Sequence, residues 1–220
     1  MRAQRRDGPG GSFRSGGGRT PVFKNVPFIV VALLVPMAAV MALGWLSRDF
    51  QYFSVLSGAI FARPTAQPLG PVFPYFAHVF LHGGFTHLLI NGLALLSFGA
   101  AAARPFGKNW RGRIVFLAFF FACGAAGAAV NQAVEWGSSS PMVGASTALS
   151  GCLAAAGFVA GGQAMMVRYA AAWAGINIVI AVVSMSANIP IAWAGHMGGL
   201  AAGVMLYPVI LRLYLDRRLR

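Results

Sequence analysis

Apolar residues along this chain fall into six long runs, at residues 26–46, 83–103, 114–134, 143–162, 170–187 and 191–213. A helix needs about 20 mostly apolar residues to cross the hydrocarbon core of a bilayer. Five of the runs are that long, and the one at 170–187, bounded by Asn188 and Pro190, is slightly short. None shows the strict apolar–polar alternation of a membrane barrel, so the runs predict helices, which pair their backbone groups internally. The predicted fold class is an all-α membrane protein, a six-transmembrane-helix bundle. The long connection 47–82 carries Pro64, Pro68, Pro71 and Pro74 among Phe61, Phe73, Tyr75 and Phe76. A connection that long, broken by proline yet aromatic, predicts a loop that packs on the outer face of the membrane.

Composition agrees with this reading. Only 10% of the 220 residues are charged and 58% are apolar, against about 25% charged in a typical soluble domain, which argues against a soluble globular enzyme. The balance of 17 Lys+Arg against 4 Asp+Glu gives +13. In a soluble protein that would point to nucleic acid, but here the charges sort by alternate connections. Arg2, Arg5, Arg6, Arg14, Arg19 and Lys24 precede the first run. Arg104, Lys108, Arg111 and Arg113 lie between the second and third, and Arg168 between the fourth and fifth. Arg212, Arg217, Arg218 and Arg220 close the chain, leaving Arg48 and Arg63 on the other side. With six crossings this puts both termini in the cytoplasm, and no nucleic-acid partner is expected. The predicted domains are a disordered basic tail over 1–25, a six-span domain over 26–213 and a basic cytoplasmic tail over 214–220. The first tail has a second reading, an organellar transit peptide, against which its many glycines and its prolines argue. Cys123 and Cys152 both sit inside apolar runs, so no disulfide framework is expected.

Ionisable side chains inside spans are costly and mark functional interiors. No Asp, Glu or Lys lies mid-span, which weakens an aspartyl protease, an H-E-x-x-H metalloprotease and a proton-coupled transporter. What remains is a coincidence of depth. The second, fourth and sixth spans all start at the outer face. His87 and Asn91 lie early in the second and share a helix face, being four apart. Ser146 lies about three residues into the fourth and His196 about five into the sixth, roughly 5–8 Å below the helix starts at 1.5 Å per residue. Gly195, Gly199 and Gly203 in one span, and Gly144, Ala148 and Cys152 in another, form small-residue faces that permit close backbone approach. This layer suggests acyl transfer. A serine hydroxyl needs an adjacent base, which His196 can supply. The Ser146 N–H, the Asn91 amide and the His87 ring can serve as oxyanion donors. With no Asp to orient His196, the arrangement is a dyad, and packing within the sixth span is expected to orient the ring.

The run H-G-G-F-T-H-L-L-I-N at 82–91, G-A-S-T at 144–147 and G-H-M-G-G-L-A-A-G at 195–203, in that order on alternate spans, resembles the rhomboid intramembrane serine proteases. The resemblance implies a rhomboid-like bundle that cleaves membrane-spanning protein substrates near the outer face of the lipid bilayer, without cofactor or metal. It implies Ser146 as nucleophile, His196 as general base, and His87, Asn91 and the Ser146 backbone N–H as oxyanion donors. His82 would be a supporting residue, and Gly144 would allow close backbone approach beside the nucleophile. The 47–82 connection would be the membrane-associated first outer loop. The fifth span and the loop 187–190 would be gate and cap. Substrates would be single-span proteins with small or helix-breaking residues near the cut. The short termini lead to the expectation of a bacterial inner membrane over an organelle.

The chain departs from the family's pattern in three places. Thr147 stands where the family usually has Gly, and is expected to narrow the pocket. The Trp-Arg pair of the first loop, expected near Phe73 and Pro74, is missing, which questions the loop's anchoring. Ala100 to Ala103 replace an acidic residue near the end of the second span. A metal site at His78, His82 and His87 is disfavoured by spacing and by the lack of a nearby carboxylate or Cys. The alternatives are a rhomboid-like pseudoprotease that binds membrane segments without cleavage, and a small transporter.

Overall fold

The computed structural model describes residues 26–61, 67–134, 140–187 and 189–218; the tail expected at 1–25 lies outside them. Its elements are α1 (Phe28–Leu46), α2 (Arg48–Gly58), α3 (Pro74–Ala77), α4 (Phe85–Phe106), α5 (Trp110–Val134), α6 (Ser146–Ala187) and α7 (Trp193–Asp216). Among the described residues, five of these (α1, α4, α5, α6 and α7) are long and apolar enough to cross a membrane.

The sixth crossing is hidden in α6. At 42 residues a straight helix would run about 63 Å, twice the ~30 Å hydrocarbon core. The helix breaks at Gly161 and Gly162. Gly162 has φ +65°, a region glycine enters without steric cost. The second limb folds back on the first: a Cβ on Gly157 would meet the Met165 carbonyl oxygen and Met166 Cα, each at 2.9 Å. The limbs are 146–160 and 163–187, so the second helical limb starts seven residues before the predicted 170. Arg168 bounds the apolar run in the sequence, but helical hydrogen bonding continues through this exposed arginine. For the same reason α7 runs to Asp216, past the predicted limit at 213.

The first outer connection is folded. Ser47 Oγ accepts the Phe50 N–H at 3.2 Å and caps α2 one residue after α1 ends. Gln67 Nε2 donates to the Ala59 carbonyl at 2.9 Å beyond the other end of α2. Pro74 opens α3, where its missing N–H costs nothing, and a 3₁₀ turn, His78–Phe80, follows. Tyr52, Phe53, Val72, Phe73 and Phe76 stay exposed on this connection, an apolar surface suited to the membrane face.

The centre of the bundle is the packing of α5, the first limb of α6, and α7. Phe106, Phe116, Phe119, Phe120 and Tyr207 are fully buried together, and the Tyr207 hydroxyl donates to the Ala102 carbonyl at 2.8 Å. Outward-facing Val35, Ile114, Ile178, Val182, Met205 and Val209 are exposed. In water such a girdle would aggregate; in lipid it is the required outer surface, and the protein is an integral membrane protein. At Gly199 the backbones of α6 and α7 come close: a Cβ there would fall 1.9 Å from the Thr147 carbonyl oxygen. That contact sets how near the beginnings of α6 and α7 can come.

Candidate active site

Ser146 is the first residue of α6, not the third or fourth as the apolar run suggested. The reason is Gly144, whose φ of +112° ends the preceding turn in a conformation other residues avoid. Its N–H donates to the His78 carbonyl at 2.9 Å, and Met142 forms an antiparallel bridge with Ile60. At a helix start the Ser146 N–H has no intrahelical acceptor.

His196 is the fourth residue of α7, whose beginning is held by the Asn131 side chain of α5 accepting the Gly195 N–H at 3.3 Å. His196 Nε2 lies 2.8 Å from Ser146 Oγ, and Ser146 is half-buried. The other ring nitrogen, Nδ1, lies 2.9 Å from Asn177 Oδ1, while Asn177 Nδ2 donates to the Trp173 carbonyl at 2.9 Å. A carbonyl only accepts, so the amide nitrogen must face Trp173 and the amide oxygen must face the imidazole. The proton of neutral His196 therefore sits on Nδ1, and Nε2 is the acceptor for the serine hydroxyl. The sequence predicts that packing within the sixth span orients the ring; the group that lies against Nδ1 is an amide on the second limb of α6. Trp173, from the same limb, lies with its ring 5.9 Å from the imidazole. Its Nε1 donates to Ser150 Oγ at 2.9 Å, and Ser150 Oγ donates to the Ser146 carbonyl at 2.8 Å.

His87 reaches the site from α4. Its Nδ1 accepts the Gly83 N–H at 3.2 Å, so its neutral ring carries the proton on Nε2. A Cβ on Gly144 would touch that Nε2 at 2.7 Å, so Gly144 is the residue that admits the imidazole beside the serine turn. Asn91 is buried on the same helix face. One of its N–H groups is spent on the His87 carbonyl at 2.8 Å and its Oδ1 has no partner, so one donor stays free. His82 lies edge-on to His87, ring centroids 5.2 Å apart. It faces a cavity of about 250 Å³ lined also by Trp45, Gln51, Ser54, Pro141 and Val143.

Two departures from the family's pattern resolve together. Thr147, expected to narrow the pocket, is buried against Gly127 and Gly195, and its hydroxyl donates to His78 Nε2 at 3.1 Å. His78 Nδ1 donates to the Pro74 carbonyl at 2.9 Å. Tyr75 donates to Gln132 Oε1, and Gln132 Nε2 donates to the Phe61 carbonyl. The first outer loop is thus pinned to α5 and α6 without a Trp-Arg pair. Thr147→Val is expected to leave the His78 acceptor unpaired and lower stability by about 1–3 kcal/mol, read as a lower melting midpoint in detergent. Burial also pushes the His78 imidazole down from 6.5 to about 4. The unfolded chain binds this proton below pH 6.5 and the folded one only near 4, so stability is intact above 6.5 and falls as pH drops through that window. A melting series from neutral to acid pH checks this, with His78→Gln expected to flatten it.

Asn177, Trp173, Ser150 and the Thr147–His78 pair were missed by sequence reasoning. The available signal was Asn177, a lone amide deep in the fifth apolar run, where polar side chains are costly. Among the described residues no group of three His, Cys, Asp or Glu is placed to hold a metal.

Residues 69–213 match the family described as Rhomboid domain. The chain is also 35% identical over 133 residues to Rhomboid protease GluP of Bacillus subtilis (strain 168), a match covering 57% of this chain and 23% of that relative. The chain therefore spans under a quarter of the length of the curated relative it matches. A family match over more than half the chain, on the spans that carry the three motifs, shows that the chain belongs to the rhomboid family.

Proposed function

We propose that the protein is an intramembrane serine endopeptidase that cleaves transmembrane segments of membrane proteins near the outer face, with Ser146 as nucleophile and His196 as general base. The observation that carries this reading is the 2.8 Å contact between Ser146 Oγ and His196 Nε2. Ser146 Oγ attacks the scissile carbonyl carbon as its proton passes to His196 Nε2. The Ser146 N–H and the Nε2–H of His87 stabilise the resulting oxyanion, with the free Asn91 N–H as third donor. The carbon–nitrogen bond then breaks and the amine leaves with the proton from Nε2. Water attacks the acyl carbon, giving a proton to Nε2, and Nε2 passes that proton to Ser146 Oγ as the bond from Oγ to the acyl carbon breaks and the carboxylic acid departs.

His82 supports the ring of His87, and the second limb of α6 gates access. The six-span domain over 26–213 carries this activity, with its basic ends on the cytoplasmic side. The sorting of Lys and Arg by alternate connections supports that orientation. The test is fluorophosphonate labelling of the purified protein in detergent. Labelling of the wild type that is lost in Ser146→Ala and in His196→Ala is expected. A folded wild type that neither labels nor cuts a model transmembrane substrate in liposomes would indicate a binding-only pseudoprotease.

A further inference from the structure

We propose that Asn177 is a positioning residue that holds His196 in the one tautomer able to activate Ser146, so that the nucleophile is competent only while the second limb of α6 is docked. The inference rests on the Ser146–His196 reading above. Asn177 is 1% exposed and both ends of its amide are spent: Oδ1 on His196 Nδ1, Nδ2 on the Trp173 carbonyl. An amide costs free energy at this depth unless fully paired, and the pairing here places its acceptor against the imidazole. A carboxylate in that position would add a buried charge; an amide orients the ring without one.

The same limb holds the other half of the pair. Trp173 lies against the imidazole and donates to Ser150 Oγ, which donates to the Ser146 carbonyl. Ser146 and His196 sit on the first limb and on α7, yet both are braced by residues four apart on the second limb, which therefore face the same way. Displacement of this limb removes the acceptor from Nδ1 and the proton is then free to move to Nε2. In that tautomer Nε2 is a donor and cannot take the serine proton. Docking of the limb and reactivity of the serine are thus one event.

The test uses the full chain labelled with [¹⁵N]histidine in detergent micelles, with His196 assigned by comparison with His196→Ala. Cleavage of a model transmembrane substrate is measured in parallel. The wild type is expected to show the Nδ1–H tautomer. Asn177→Leu, an apolar side chain of similar size, is expected to shift His196 toward the Nε2–H form and to lower kcat roughly 10²-fold with KM little changed. Asn177→Asp keeps an acceptor and is expected to restore kcat to within about tenfold of wild type. An unchanged tautomer in Asn177→Leu overturns the proposal, whether kcat holds or falls, because a fall alone would then report limb packing. Undiminished cleavage by Ser146→Ala would instead sink the functional reading, while the tautomer measurement would still decide whether Asn177 holds the ring.

Discussion

Ser146→Ala and His196→Ala are each expected to lower the rate of substrate cleavage by about 10⁴-fold or more while the protein still folds. The two side chains share one hydrogen bond at 2.8 Å, so they act as a unit. Removing either removes the activated nucleophile, and the double variant is expected to be little worse than the single ones. Ser146→Ala should disturb packing little, because Ser146 is half-buried at a helix start and its N–H remains; His196→Ala leaves the buried Asn177 Oδ1 without its partner, and its melting midpoint is expected to fall. The oxyanion donors should rank below them. His87→Ala removes the ring that Gly144 admits and is expected to cost about 10²–10³. Asn91→Ala is expected to cost less than His87→Ala, because one of its two N–H groups already serves the His87 carbonyl. Initial rates on a model transmembrane substrate in liposomes give the order, and equal loss in all four variants would contradict it.

Gly199→Ala is expected to be the most damaging single methyl on the inner face of α7. Its Cβ would sit 1.9 Å from the Thr147 carbonyl oxygen and 2.7 Å from the Thr147 carbonyl carbon. Both are backbone atoms, so no rotamer change relieves the clash and the two helices must separate. Overpacking of this kind costs about 1–3 kcal/mol. Thr147 adjoins Ser146, and Gly199 lies one turn beyond His196, so separation at this contact also opens the Ser146–His196 hydrogen bond. A lower melting midpoint together with slower fluorophosphonate labelling is the expected result. Gly175→Ala is the control, since a Cβ there meets nothing within 4 Å. It is expected to be neutral or to stabilise by up to about 1 kcal/mol, because alanine loses less backbone freedom in a helix. If Gly199→Ala melts and labels like Gly175→Ala, the backbones are not in contact there.

The departures from the family's pattern changed meaning once partners were visible. On paper Thr147 read as an obstruction beside the nucleophile and the missing Trp-Arg pair as a loose loop. In the fold Thr147 anchors that loop through His78. His78 spends both ring nitrogens within the protein, on the Pro74 carbonyl and the Thr147 hydroxyl, which leaves neither for a metal. Hydroxyl and imidazole lie 69 residues apart, beyond any local pattern.

The sequence by itself determined the helical class, came close to the number of long apolar helices, and showed the basic residues sorted by alternate connections. These follow from hydropathy and charge, which act residue by residue against a solvent of known thickness. It also named Ser146, His196, His87 and Asn91 as polar groups at similar depth, because apolar spans leave few alternatives. Only the tertiary structure decided that α6 begins at Ser146, that Gly161 and Gly162 fold one long helix into two crossings, and that Asn177 meets His196. Those outcomes depend on helix rotation and on interhelical distances set to a few tenths of an ångström by bare glycine backbones. Periodicity carries no information at that scale.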